Sequence, residues 1–276
     1  MSAATIIHPF AVIEPGAQIG EGAEIGPFCH IGPEAVIGDR VRMVSHVAVF
    51  GATTIGADCR IWPNAVLGGP PQSMRHKGGR TTLTVGENCE IREGVTFHLG
   101  TDSSRGATTV GSNGFFMAQA HVAHDCIVGD NVTMANCAAL GGHSEIGDFV
   151  TMGGLAAVHQ FVRVGHHAFV GGYAAVVGDV IPYGMAVGNR AKLRGLNVIG
   201  IKRSGVSRAE LLEMRAAYRM LFSPERTLAE SIPLAVAKYG QSPAVADILS
   251  FLQARGKRFF TVPVLDDRGP EDDDVE

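Results

Sequence analysis

The run HVAHDC at residues 121–126 sets two histidines three apart, an aspartate directly after the second, and a cysteine at its end. These types suit two chemistries. An imidazole that titrates near neutrality and is steadied by a carboxylate is a general base. Imidazole, carboxylate and thiolate are also zinc ligands. The local run leaves both open. Further histidines follow in LGGH at 140–143 and AVHQF at 157–161, and His98 precedes them in GVTFH.

What must position these residues is a repeat. An aliphatic residue returns every sixth position from Ile7 through Ile13, Ile19, Ile25, Ile31, Ile37, Met43, Val49, Ile55 and Ile61 to Leu67. The pattern resumes at Val85, and again from Val110 to Val176. Four residues after each comes a small or β-branched residue, such as Ala17, Ala23, Val41, Ala120, Ala138 or Ala156. A hexapeptide period of this kind predicts an all-β parallel β-helix. Each hexad supplies a short strand and a corner, and three hexads make a turn. Aliphatic and small residues both point inward, and glycine is expected to supply the positive φ of the corners. Cys29, Cys59, Cys89 and Cys126 fall on the small inward position and read as core, whereas Cys137 falls one place earlier. Two polar stretches, 68–82 and 98–109, break the rhythm and should loop out.

Residues 18 apart then stack on one face. Val122, Leu140 and Val158 are so related, which brings His124, His143 and His159 onto one face in successive coils. Phe97 joins them one coil below if the gap to Val110 holds a bulge, which adds His98. His121 is placed at the corner leading in. Five imidazoles thus line one strip. It is a candidate general-base site and also a candidate metal site. Asp125 is an orienter of His124 only if the chain turns there, because neighbours on a strand face opposite ways. The glycines of LGGH would expose N–H groups beside the base, as an oxyanion hole does, or would simply make a corner. His8, His30, His46, His166 and His167 read as solvated, and His76 stays open.

Past Val176 the repeat fades into a helical region, with capping-box patterns at Ser207/Glu210 and Thr227/Glu230. The domains read as β-helix 1–190, α-helical domain 191–264 and an acidic, disordered tail 265–276. Net charge is −4, so no broad electrostatic footprint for nucleic acid is present. No apolar run approaches the roughly 20 residues of a membrane span. No signal peptide is evident, and unpaired cysteines suit a reducing compartment, so the chain reads as cytoplasmic.

HVAHDC, LGGH, AVHQF and FVGGY, in that order on a hexapeptide β-helix with a helical C-terminal domain, resemble the UDP-N-acetylglucosamine acyltransferase family over nearly the whole chain. The resemblance implies a left-handed β-helix, a homotrimer with sites in the clefts between subunits, and the first step of lipid A biosynthesis. It implies transfer of a 3-hydroxyacyl chain from acyl carrier protein to the 3-hydroxyl of UDP-N-acetylglucosamine. By the resemblance, His124 is the base, Asp125 its support, and the Gly142 amide holds the oxyanion. His98, His121, His143, His159 and Gln160 would contact the substrates. Gly172 would leave the acyl channel open for a long chain, and Asn197 and Arg203 would contact pantetheine or phosphate. A thioester is already activated, so no cofactor or metal is expected. Basic residues Arg190, Lys192, Arg194, Lys202, Arg203 and Arg208 could dock an acidic carrier protein.

Some positions depart from the family. The first loop reads QSMR, so Ser73 and Arg75 stand where a carboxylate and a lysine are usual. Ile199 and Ser204 replace a glutamate and an arginine, and Arg190 a histidine. All fall on acceptor recognition, so a 3-amino analogue of the sugar nucleotide is the second acceptor the sequence admits. A β-helix zinc enzyme of carbonic anhydrase type and a non-catalytic scaffold are the remaining alternatives; a metal assay separates the first, and indifference to loss of His124 the second.

Overall fold

A computed structural model describes residues 4–254 and 256–264. The hexads fold mostly into two-residue strands, each pairing in parallel with the strand one coil on, as Ile6–Ile7 does with Glu24–Ile25. Three sheets of eleven, nine and eight strands form the faces of a prism. Successive strands visit the first sheet (from Ile6–Ile7), the second (from Val12–Ile13) and the third (from Gln18–Ile19) in turn.

From Ala23 onward both inward positions of the repeat are buried, while Ile7 in the first coil is exposed. The aliphatic column includes Ile25, Ile31, Ile61, Leu140 and Val170, and the small column Ala35, Ala65, Ala138 and Ala156. Each large aliphatic stabilises the coil by about 1.5–3 kcal/mol relative to exposure. Cys29, Cys59, Cys89 and Cys126 are buried among them, and Cys137 is half-buried.

The corners differ from expectation. Positive φ falls three residues after the inward aliphatic, and mostly on residues other than glycine: Phe28, Asp58, Asn64, Asp125, His143 and Phe161 all lie near +60°. The glycine directly after the aliphatic does something else. A β-carbon on Gly26 would meet the Val44 carbonyl oxygen of the next coil at 1.8 Å. Glycine is there because backbones approach closely, not because of φ.

The two rhythm breaks are loops, between strands Val66–Gly69 and Thr82–Val85 and between Thr96–His98 and Ala107–Val110. Strand Lys192–Leu196 pairs antiparallel with Gly184–Val187, which carries sheet structure past residue 190. Helices α1 (Val198–Arg203), α2 (Arg208–Leu221), α3 (Leu228–Tyr239) and α4 (Pro243–Gln253) follow. Both capping boxes form, at α2 and α3. After α4 the chain returns to the prism, where the Asp179 amide donates to the Phe259 carbonyl (2.7 Å) and the Thr261 amide to the Asp179 carbonyl (2.8 Å). The acidic tail expected at 265–276 lies outside the described residues. Among the described residues no helix is long and apolar enough to cross a membrane.

Candidate active site

The second sheet carries the site. Its register stacks Phe97, Val122, Leu140 and Val158 inward, and Thr96, His121, Ala139 and Ala157 outward. His121 is therefore a strand residue rather than a corner residue. His98 ends the strand below, with ring centroids 5.3 Å apart. His124 and His143 lie on the corner between the second and third sheets, edge to face at 5.1 Å. Gln72, His98, His121, His124, Gly141 and Gly142 face one cleft of about 350 Å³.

Asp125 sits at φ +60°, so the strand alternation that would part it from His124 does not apply. His124 Nδ1 is 2.9 Å from Asp125 Oδ2. Asp125 is fully buried and richly bonded. It accepts from the Thr101 hydroxyl (2.7 Å) and the Thr101 amide (3.0 and 3.2 Å). Burial pushes its carboxyl up, but the Thr101 hydroxyl, the Thr101 amide and His124 outweigh it and hold it below the ordinary range. An ionised carboxylate only accepts, so His124 donates from Nδ1 and carries its lone pair on Nε2. That is the tautomer of a base.

Gly142 lies one coil above His124, and a β-carbon there would stand 2.6 Å from His124 Cε1. Its amide makes no hydrogen bond among the described residues. The second corner position is unpaired elsewhere too, and proline occupies it at Pro27, Pro33 and Pro63. What singles out Gly142 is the imidazole over it. His98 Nδ1 donates to the Pro70 carbonyl (2.7 Å), and His121 Nδ1 is 2.8 Å from the Thr96 hydroxyl. Burial lowers His121 to about 4, helped by His98 and His124. Burial also lowers His143, against the pull of Asp125.

His124, Asp125 and His143 offer ligand atoms within 4.8 Å of one another. Asp125 Oδ2 already accepts from the Thr101 hydroxyl and faces His124 Nδ1, so a cation held there would compete with those bonds.

A larger hollow of about 800 Å³ lies against the first sheet, lined by His167, Tyr183, Asn197, Ile199, Arg203 and Ser204 among others.

Comparison with known proteins agrees with this architecture. Residues 3–32 and 16–51 match the bacterial transferase hexapeptide model, and residues 179–260 the second-domain model of UDP-N-acetylglucosamine O-acyltransferase. An acyl-(acyl-carrier-protein)–UDP-N-acetylglucosamine O-acyltransferase of Mesorhizobium japonicum is 60% identical over 276 residues, covering 100% of this chain and 98% of that one. The chain belongs to the UDP-N-acetylglucosamine O-acyltransferase family. Two solved structures share its shape. The enzyme from Campylobacter jejuni is 36% identical with a TM-score of 0.87, covering 94% of this chain and 100% of that one. That from Francisella novicida is 32% identical with a TM-score of 0.90, covering 93% and 94%. The prism is thus a left-handed parallel β-helix and the chain an acyltransferase.

Within this acyltransferase the residues singled out from sequence fall into separate groups. His98, His121, His124, Asp125, Gly142 and His143 converge. His159 and Gln160 stand one coil above Gly141 and Gly142, on the rim. Ser73 and Arg75 stay in the first loop, with the Arg75 amide on the Ser73 hydroxyl at 3.4 Å, and Gln72 is the loop residue that reaches the cleft. Asn197 and Arg203 line the other hollow, while Gly172 and Arg190 are exposed at turns. Different prism faces carry these residues, so one chain does not bring them to His124. Thr101 was not foreseen. The only signal was that 98–109 breaks the repeat; nothing local says which loop hydroxyl folds back onto Asp125.

Proposed function

We propose that the protein moves a 3-hydroxyacyl chain from acyl carrier protein to the 3-hydroxyl of UDP-N-acetylglucosamine. The observation that carries this is the His124 pair: Nδ1 held by ionised Asp125, Nε2 left as a base, and the free Gly142 amide one coil above. The related enzymes' names supply the donor and acceptor classes.

A sugar hydroxyl is a weak nucleophile, and a positioned imidazole typically contributes about 10²–10⁴-fold. His124 Nε2 takes the hydroxyl proton as the oxygen attacks the thioester carbonyl. The carbonyl becomes an oxyanion, which the Gly142 N–H stabilises. Collapse expels the thiolate of the carrier's pantetheine, and the proton on His124 passes to it. Asp125 stabilises the imidazolium between these steps.

The working unit is a homotrimer. The corner bearing His124 and the hollow bearing Asn197 and Arg203 lie on different faces, and association of copies would let one chain's dyad meet another chain's hollow. Exposed Lys192, Lys202, Arg203 and Arg208 supply a basic surface for an acidic carrier protein. Gly172 leaves room for the acyl chain. The reaction is placed in the cytoplasm.

The test is mass spectrometry of products after incubation with 3-hydroxyacyl carrier proteins and either UDP-N-acetylglucosamine or its 3-amino analogue, beside His124→Ala. An ester on UDP-N-acetylglucosamine that is absent in the control supports the proposal. An amide formed only with the analogue overturns the acceptor, and no product with either overturns the reaction.

A further inference from the structure

The segment 256–264, after the last helix, returns to the prism, and two of its residues reach the rim of the cleft. The Arg163 guanidinium donates from Nε to buried Asp179 (2.7 Å) and covers the Phe251 ring at 4.3 Å. Asp179 in turn pairs through its backbone with Phe259 and Thr261. This pins the segment 256–264 as a strap across the upper coils. Two of its cations then fall on the corner column above the dyad. Lys257 Nζ lies 4.5 Å over the ring of Phe161, which stacks on His143 with centroids 4.4 Å apart and planes 6° from parallel. Arg258 reaches the rim: Nη2 is 2.9 Å from His159 Nδ1, and Nε donates to the Gln160 carbonyl at 3.0 Å.

That fork decides a tautomer. His159 Nδ1 has two neighbours, Arg258 Nη2 and the Gln160 carbonyl at 3.2 Å. A guanidinium only donates and does not lose its proton in proteins. Nδ1 must therefore accept, and the neutral ring carries its proton on Nε2. The Gln160 carbonyl is satisfied by Arg258 Nε instead. His159 Nε2–H has no partner among the described residues.

We infer that Arg258 is a positioning residue for the acyl transfer: it fixes His159 as the Nε2–H tautomer and holds Gln160 beside it, so that the rim presents one oriented N–H to an acceptor oxygen of bound substrate. The inference rests on the acyl-transfer reading of the cleft. It makes the C-terminal strap part of the site rather than only a tether for the helical domain. Lys257, over Phe161, steadies the neighbouring column.

The experiment uses the full-length protein with ¹⁵N-labelled histidine, as wild type, Arg258→Gln, Arg258→Lys, His159→Ala and His159→Ala/Arg258→Gln. Wild-type turnover and its loss in His124→Ala test the underlying reaction separately. ¹⁵N spectra of His159 should show a single Nε2–H form in the wild type and a tautomer mixture in Arg258→Gln. KM for one substrate should rise about tenfold in Arg258→Gln, the loss of one well-placed hydrogen bond, with kcat changed much less. Arg258→Lys should recover part of the loss, since it can still donate to Nδ1. In the His159→Ala background, Arg258→Gln should add less than about twofold. An unchanged single tautomer in Arg258→Gln, or full additivity of the two substitutions, overturns the inference. Should Arg258→Gln fold poorly, the Arg258→Lys spectrum and the His159→Ala kinetics decide it: Nδ1–H in the first, or wild-type KM in the second, sinks the role.

Discussion

The imidazole of His124 lies across Gly142, so close that a β-carbon at 142 would stand 2.6 Å from Cε1 and 2.8 Å from Nε2. The imidazole proposed as base and the amide proposed as oxyanion donor thus share one contact between adjacent coils, and the ring leaves no room for a side chain at 142. Gly142→Ala should push the imidazole off its line, and misplacement of about 1 Å can cost around 10²-fold. Single-turnover rates should fall by that order while the thermal midpoint falls much less, because the group the new methyl meets is the far end of the His124 side chain, which can swing aside. Retained chemistry in Gly142→Ala would mean that the ring need not sit where it does.

His124→Ala should lower kcat by about 10²–10⁴-fold with substrate affinity largely kept. The decisive comparison is single-turnover rate against substrate affinity: wild-type turnover in His124→Ala contradicts the assignment.

Thr101→Val removes a hydroxyl from a buried carboxylate and keeps the volume. An unmet buried acceptor costs about 1–3 kcal/mol, so the protein should be destabilised by that order. The sign with pH follows from the direction of the shift. Asp125 is held below its ordinary value, so its contribution is present above the unfolded pKa and is lost as pH falls through the folded one. Thr101→Val raises the folded value, so acid unfolding should move to higher pH. An acid-unfolding curve identical to wild type contradicts this.

His121 works the other way. Its folded value of about 4 lies below its ordinary 6.5, because burial disfavours the imidazolium. The unfolded chain therefore binds a proton that the folded chain refuses between these values. Stability should be intact above about pH 6.5 and decline as pH drops toward 4. His121→Gln should flatten that part of the curve, as read by thermal midpoints at pH 5 and pH 7.

A β-carbon on Gly172 would meet only the Gly154 carbonyl oxygen at 3.4 Å and its amide nitrogen at 3.9 Å, both ordinary contacts. A side chain there is tolerated by the fold. Gly172→Met should leave stability near wild type and shift the products toward shorter acyl chains. A product distribution that does not move would remove Gly172 from the acyl channel.

The sequence by itself determined the prism and its contents. A six-residue period has one solution for what points inward, so the aliphatic column, the small column and the buried cysteines were all readable. The same arithmetic of 18 brought His124, His143 and His159 to one edge, an allowance for a bulge added His98, and the helix caps were written at Ser207 and Thr227. Tertiary structure decided what periodicity does not encode. Whether Asp125 turns toward His124 depended on a left-handed φ carried by the aspartate itself, where the sequence reading expected glycines to supply the positive φ of the corners. What holds Asp125 ionised is Thr101, which arrives from a loop 24 residues away, and what grips His159 is Arg258, 99 residues away. Loops and straps find their partners by closing over a surface that must already exist. Local pattern carries the surface, and only the folded chain carries the closure.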